Sequence, residues 1–197
     1  MAVDRKDISR HYYSMEEYFA LEQASDARFE YWEGQIVCMS GGSEAHNQVS
    51  DNVFFRLRQR LDGGRCRALS ANTPVKTPTL PPYRYPDVTV ACGELQYVRI
   101  QGVDALTNPV LIVEVLSPTT ASHDFNEKFA AYQAISTFAA YLLIDPNVPH
   151  VTLYTRQPDG KWAREDVVDL SAVLMLDSIG CQLPLSEIYE AVKLGVG

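Results

Sequence analysis

The sequence lacks the features that mark several large classes of protein. No segment of the 197-residue chain approaches the roughly 18 consecutive apolar residues that a membrane-spanning helix needs. The N-terminus is polar and has no apolar core typical of a signal peptide, so we expect a cytoplasmic protein that does not bind membranes. Internal repeats, linkers and low-complexity blocks are also missing. The simplest organisation is a flexible arm over 1–13 followed by one domain over 14–197.

Cysteine is scarce and dispersed, which bears on the redox state and on metal binding. The chain has four cysteines and no CxxC pair: Cys38, Cys66, Cys92 and Cys181. Dispersed single cysteines without a signal peptide are typical of reduced thiols, so we expect free thiols rather than a disulfide. A structural zinc site is less favoured still, because its ligands are usually clustered in sequence.

Positive charge is in deficit, since 17 lysine and arginine residues face 25 acidic residues and the net charge is −8. This balance excludes a general nucleic-acid coat protein, which needs a basic surface. A local basic groove stays open, because residues 51–70 carry five arginines and only two aspartates. Arg56, Arg58 and Arg60 are therefore candidate contacts to nucleic-acid phosphates; the alternative is a solvated arginine face.

The residues that are present predict a mixed α/β domain. Apolar periodicity and turn residues alternate along the chain without long gaps. The predicted elements, in chain order, are a helix capped at Ser14 and running to about Gln23, a hairpin over 28–39, a helix with an apolar stripe at Val49, Val53, Leu57 and Leu61, strands over 65–69, 87–91 and 110–116, a helix over 124–135, a strand over 141–144, a hairpin over 151–165, a strand near Cys181 and a helix from Ser186.

Two acidic residues stand out because they occur in apolar strands. Glu114 lies inside the most apolar run of the chain, and a buried carboxylate must be protonated, be paired or bind a metal. Asp87 opens another apolar strand after a proline. Together with the carbonyl oxygen of Val115, the two carboxylates would suit Mg²⁺ or Mn²⁺, which favour oxygen ligands. The alternative is a structural salt bridge.

The helix after Glu114 carries Lys128 and Tyr132, which lie on one helix face at a spacing of four residues. A lysine ammonium close to a metal site can stabilise negative charge that develops on a phosphoryl group. The alternative is an ordinary solvated lysine.

Taken in order, these residues resemble the PD-(D/E)XK nuclease superfamily, and more narrowly its Uma-type family of restriction endonuclease-like proteins. The resemblance covers roughly residues 14–190. The matching positions are Glu30, Gly34, His46, Pro86, Asp87, Glu114, the segment 116–120, Asp124, Lys128 and Tyr132.

The resemblance implies a restriction endonuclease-like mixed β-sheet flanked by helices, with added β-hairpins. It implies that Asp87 and Glu114 bind a divalent metal and that Glu30 adds an acidic ligand or positions water. The lysine that most of the superfamily carries two residues after the glutamate is Leu116 here, so its role passes to Lys128. His46, Tyr132 and Asp124 are expected to support these groups.

The leading hypothesis is therefore a Mg²⁺- or Mn²⁺-dependent endonuclease that hydrolyses DNA and acts as a homodimer. The alternative is a catalytically silent protein of the same fold that serves as a binding or assembly module. In the first case Asp87, Glu114, Glu30 and Lys128 should share one cleft that opens to solvent, with the arginines at its rim. In the second, Lys128 should point away or Glu114 should pair internally.

Overall fold

The structure is a computed structural model that describes residues 11–39, 41–117 and 124–194. The chain divides into two compact units, Met1–Ser40 and Gly41–Gly197, and each is described here by itself. Residues 1–10 of the predicted arm and residues 118–120 of the motif after Glu114 lie outside the described residues.

The first unit contains one helix and one hairpin. Helix α1 (Met15–Ala24) begins at the predicted capping box, in which the Ser14 hydroxyl accepts from the Glu17 amide and the Glu17 carboxylate accepts from the Ser14 amide. Strands β1 (Phe29–Trp32) and β2 (Gln35–Cys38) pair antiparallel, as predicted. The buried Tyr18 of α1 joins the helix to the hairpin, because its hydroxyl donates to the Phe29 carbonyl at 2.8 Å.

The second unit is built around a six-stranded sheet. Its elements are α2 (Glu44–Arg60), β3 (Cys66–Ser70), β4 (Val88–Cys92), β5 (Tyr97–Ile100), β6 (Val103–Leu106), β7 (Leu111–Val115), a π-helical turn (Asp124–Lys128), α3 (Phe129–Gln133), β8 (Ala140–Asp145), β9 (His150–Arg156), β10 (Trp162–Val167), β11 (Val173–Leu176), a 3-10 turn (Asp177–Ile179), β12 (Cys181–Pro184) and α4 (Leu185–Ile188).

The strand order of the sheet is β10-β9-β8-β7-β4-β3. Only β7 and β8 run parallel, and the other neighbouring pairs are antiparallel. The pairs β5–β6 and β11–β12 form separate antiparallel hairpins. The predicted mixed sheet with flanking helices and added hairpins is confirmed.

Strand β7 is the central strand, since it lies between β4 and β8 and all five of its residues are buried. Its side chains alternate between two cores. Leu111, Val113 and Val115 pack into the core that contains α2 and the C-terminal elements. Ile112 packs into the second core, which combines aliphatic residues with the aromatic side chains of Tyr132, Phe138 and Tyr141. This alternation places Glu114 on the face of the second core.

The structure differs from the sequence predictions at three places. The predicted helix over 124–135 is a π-helical turn followed by the short helix α3. The hairpin β5–β6 and strand β11 had no counterpart among the predicted elements.

The expectation of free thiols was wrong for two cysteines. Cys66 and Cys92 are directly opposite each other on β3 and β4 and form a disulfide. Cys38 and Cys181 are free, in agreement with the prediction. Cys66 and Cys92 are 26 residues apart in sequence, and the pairing of β3 with β4 brings them together.

Candidate active site

The sheet register brings the two predicted metal ligands to neighbouring positions. Val88, the first residue of β4, lies opposite Val113 of β7. Asp87 precedes Val88 and Glu114 follows Val113, so the two acidic residues lie at the same end of this strand pair. Asp87 also reaches across to β7, where its Oδ2 accepts from the Val115 amide at 2.7 Å.

The Glu114 carboxylate is bound by two side chains that follow it in sequence. Lys128 Nζ lies 3.2 Å from Glu114 Oε1, and the Tyr132 hydroxyl donates to the same oxygen at 3.1 Å. All three residues are buried. The predicted helical spacing of Lys128 and Tyr132 therefore serves to direct both polar groups to one carboxylate oxygen.

Lys128 has a second acidic neighbour, Asp124, whose Oδ1 is 3.0 Å from Lys128 Nζ. Both side chains are only 1% exposed. The backbone of Asp124 is held by Tyr141 of β8, whose hydroxyl donates to the Asp124 carbonyl at 2.9 Å. Complete burial, followed by the nearby negative charge of Glu114, raises the pKa of Tyr141 well above its usual value, so the phenol keeps the proton that it donates.

Asp87 contacts a different basic side chain. His46 lies in the first turn of α2, where Ser43 caps the helix, and its Nε2 is 3.2 Å from Asp87 Oδ1. Burial lowers the pKa of His46, but the hydrogen bond and the charge of Asp87 outweigh burial and the net pKa is raised. The negative charge of Asp124 contributes in the same direction. The two predicted metal ligands thus each contact a basic side chain within the protein.

A further polar group lies on the same sheet face. Thr89 of β4 lies two residues after Asp87 and opposite Ile112 of β7. Ile112 and Glu114 are two residues apart on β7 and share one face, so Thr89 lies on the Glu114 face of the sheet. Its hydroxyl oxygen is buried and has no hydrogen-bond partner among the described residues. Thr89 was not among the residues singled out from the sequence.

The donor set of this region suits a hard divalent cation. Asp87 precedes β4 and Glu114 lies in the neighbouring strand β7, and the buried Thr89 hydroxyl adds a polar group on the Glu114 face of the sheet. Mg²⁺ usually binds one or two protein carboxylates and keeps several waters. Within the described ranges no group of three or more His, Cys, Asp and Glu side chains is placed to hold a metal.

Glu30 belongs to the first unit. The residue is buried in β1, and its Oε2 accepts from the Trp32 indole at 3.1 Å. Its predicted role as an additional acidic group stays a prediction.

The predicted phosphate-contacting arginines differ in their surroundings. Arg60 binds Glu187 of α4 at 2.6 Å, and Arg56 contacts both Glu187 and Glu190. These ion pairs join α2 to the C-terminal segment. Arg58 is exposed and forms no ion pair with any described residue, and its predicted contact to a phosphate stays a prediction.

The part of the chain that the structure describes contains no helix with the length and apolar character needed to cross a membrane.

Comparison with known proteins gives consistent matches along the chain. A family model, Uma2, with the description "Putative restriction endonuclease", matches residues 15–186. An uncharacterized protein of Synechocystis sp. is 32% identical over 179 residues, which are 91% of this chain and 92% of the relative. A second uncharacterized Synechocystis protein is 30% identical over 156 residues, covering 79% and 88% of the two chains.

A solved structure shows the same fold. The crystal structure of "a putative nuclease belonging to DUF820" from Anabaena variabilis superposes with a TM-score of 0.67. The match covers 84% of this chain and 91% of that chain at 17% sequence identity. The predicted restriction endonuclease-like architecture is thereby confirmed.

Proposed function

The chain belongs to the Uma2 family, and on that premise we propose that it is a divalent-metal-dependent endonuclease that hydrolyses DNA phosphodiester bonds. The observation that carries the proposal is the contact of Lys128 and Tyr132 with Glu114, next to Val115, whose amide donates to Asp87. A carboxylate pair with a lysine beside it is the set of groups that metal-assisted phosphoryl transfer uses.

In this proposal Asp87, Glu114 and the Val115 carbonyl would hold Mg²⁺ or Mn²⁺. When bound, the cation supplies an activated water and stabilises negative charge on the phosphoryl oxygens. His46 holds one oxygen of Asp87, and the Val115 amide holds the other, which fixes the orientation of that carboxylate. Tyr132 does the same for Glu114.

Lys128 would stabilise charge in the transition state. Its ammonium lies at Glu114, and a buried cation acts more strongly on a nearby anion than a solvated one does, because the local dielectric constant is lower. In the first unit, Glu30 would add a further acidic group.

The proposed substrate is DNA, and the proposed active form is a homodimer with one site per strand. With a net charge of −8, binding must depend on local features such as Arg58 and on the bound cation, which offsets repulsion between the carboxylates and the phosphates. A cytoplasmic location belongs to the same proposal.

Calorimetric titration with Mn²⁺ tests the metal site, using wild type, Glu114→Gln and Asp87→Asn. We expect saturable binding to wild type that either variant weakens by at least about tenfold, since each loses a charged ligand. Glu165→Gln, which neutralises an exposed carboxylate of β10, is the matched control and should bind like wild type. Glu30→Gln, with the exposed turn residue Glu33→Gln as its control, tests the added acidic group in the same titration.

Cleavage is measured on long mixed-sequence duplex DNA with Mg²⁺ or Mn²⁺, so that a rare recognition site is present. Glu114→Gln and Lys128→Met should lower the rate by roughly 100-fold or more. Saturable Mn²⁺ binding without any cleavage would contradict the enzymatic part of the proposal.

The internal pairing of Glu114 with Lys128 favours a second candidate, a protein of the same fold that binds a partner without catalysis. Such a buried ion pair is also a structural element, because each charge satisfies the other. This candidate predicts weak, unsaturable Mn²⁺ binding that is equal in wild type and Glu114→Gln, with or without a short DNA duplex.

A further inference from the structure

The Lys128 ammonium is shared by two buried carboxylates. Nζ lies 3.2 Å from Glu114 Oε1 and 3.0 Å from Asp124 Oδ1, so one cation faces two anions at nearly equal distances. All three side chains are at most 4% exposed. None of these charges can be solvated by bulk water without disruption of the surrounding packing.

Asp124 differs from an ordinary structural carboxylate in its hydrogen bonding. Neither of its side-chain oxygens accepts a hydrogen bond of good geometry from a described residue, and its described partner is the Lys128 ammonium. Buried carboxylates that serve only the fold are normally satisfied by several donors. The position of Asp124 is nevertheless well defined, because Tyr141 binds its carbonyl.

A divalent cation that binds Glu114 must compete with the Lys128 ammonium, which already contacts this carboxylate. Two cations at one carboxylate repel each other, and a displaced buried ammonium needs another anion within reach. Asp124 provides that anion without any large movement of the lysine.

We propose that Lys128 is an exchangeable internal cation, which pairs with Glu114 when no divalent metal is bound and is retained by Asp124 when metal binds. Asp124 is thus a positioning residue for Lys128, and its contribution is to strengthen metal binding at Glu114. This inference rests on the proposed function, because it takes Glu114 as a metal ligand.

A double-mutant cycle in Mn²⁺ affinity tests the exchange. Asp124→Asn should weaken Mn²⁺ binding by about tenfold (~1.4 kcal/mol), because the Asp124 carboxylate no longer holds Lys128 away from Glu114. Lys128→Met should strengthen binding, since the competing cation is gone. In the Lys128→Met background, Asp124→Asn should weaken binding by less than about threefold, because there is no lysine to retain.

Glu127→Gln is the matched control for charge. Glu127 is an exposed carboxylate of the same helical turn, one residue from Lys128, and its loss should change Mn²⁺ affinity by less than about twofold. If Asp124→Asn weakens binding equally with and without Lys128, Asp124 acts only through its charge and the exchange is wrong.

A structure of the wild-type protein with Mn²⁺ gives a second test that does not depend on the folding of any variant. We expect Lys128 Nζ within hydrogen-bond distance of Asp124 and out of contact with the metal-bound Glu114. A bound Mn²⁺ with Lys128 still on Glu114 overturns the exchange and leaves the metal site intact. Absence of saturable Mn²⁺ binding to wild type overturns the proposed function itself, so the two failures are distinguishable.

Discussion

At the scale of single residues, the second unit places several charged side chains where water is excluded. Glu114, Asp124 and Lys128 are almost fully buried, and each has an opposite charge within 3.2 Å. Removal of one member of such a set leaves an uncompensated charge, which usually costs several kcal/mol. The pairing therefore explains how an acidic residue is tolerated in the most apolar strand of the chain.

A second cluster of charged side chains, on β9 and β10, is exposed to solvent. Asp166 Oδ1 accepts from the Thr152 hydroxyl at 2.6 Å, and Arg164 binds both Asp166 oxygens. These contacts, of which the Arg164 hydrogen bond is the largest, hold the pKa of Asp166 well below its usual value, and His150 adds a smaller contribution. Because the Asp166 side chain is 39% exposed, solvent screening reduces the stabilisation that follows.

We predict that the Asp166 cluster stabilises the fold in a pH-dependent way. A carboxyl whose folded pKa is depressed contributes stability above its unfolded pKa of about 3.9, and this contribution is lost as the pH falls towards the folded pKa. Asp166→Asn should lower the free energy of unfolding by about 0.5–1 kcal/mol at pH 7. Urea titrations at pH 7, 4 and 3 should show this difference shrinking, and a difference that is constant or grows in acid would contradict the prediction. Glu165→Gln is the adjacent control.

At the scale of elements, the structure separates segments with strong local signals from those shaped by contacts. Helix α2 is capped by Ser43 and buries Val49, Val53 and Leu57 of the predicted stripe, while Leu61 caps its C-terminal end. The hairpin β1–β2 turns at Glu33 and Gly34, which both have positive φ, as two-residue hairpin turns require. These elements were predictable because the signal lies in neighbouring residues.

The α2 stripe supports a prediction with an internal control. Leu57→Ala should lower the free energy of unfolding by about 2–5 kcal/mol, because Leu57 is fully buried in the core beneath α2. Phe55→Ala, two residues away on the same helix, should cost less than about 1 kcal/mol, since Phe55 is 59% exposed. Chemical denaturation of both variants measures the difference, and equal losses would show that the assigned helix face is wrong.

Two elements illustrate why other segments were missed. The hairpin β5–β6 has a Gln101-Gly102 turn with positive φ at both residues, so a turn signal was available between Tyr97–Ile100 and Val103–Leu106. The π-helical turn had no comparable signal. A π-helical turn has i→i+5 backbone hydrogen bonds in place of the i→i+4 bonds of an α-helix. Here the turn also makes tertiary contacts, such as the Tyr141 bond to the Asp124 carbonyl and the pairing of Lys128 with Glu114.

At the scale of the whole molecule, a cross-strand disulfide closes a 26-residue loop between β3 and β4. Both cysteines belong to the partly buried margin of the core that packs against α2. In the chain-entropy model a loop of this size contributes about 3–4 kcal/mol under oxidising conditions. In a reducing compartment the same pair would be present as thiols.

Thiol counting tests this connectivity. Denatured, unreduced protein prepared under oxidising conditions should show two reactive thiols, from Cys38 and Cys181, and four after reduction. Cys38→Ser should lower both counts by one and leave the difference unchanged. Four thiols before reduction would contradict the disulfide.

By itself, the sequence determined the mixed sheet with its flanking helices, the buried strand around Glu114 and the family. Each of these depends on local periodicity, turn residues or an ordered set of motifs, and all of them are encoded within short segments. The family resemblance also identified Asp87, Glu114 and Lys128 as candidate residues, and their roles stay predictions that the titrations above test.

Only the tertiary structure decided which of these residues touch. The pairing of β4 with β7 brought Asp87 to the Val115 amide beside Glu114, and the β3–β4 register made a disulfide of Cys66 and Cys92. The turn before α3 put Lys128 between two carboxylates. Such contacts join residues that are distant in sequence, so their geometry follows from strand pairing and core packing in the folded chain. No local pattern encodes that geometry.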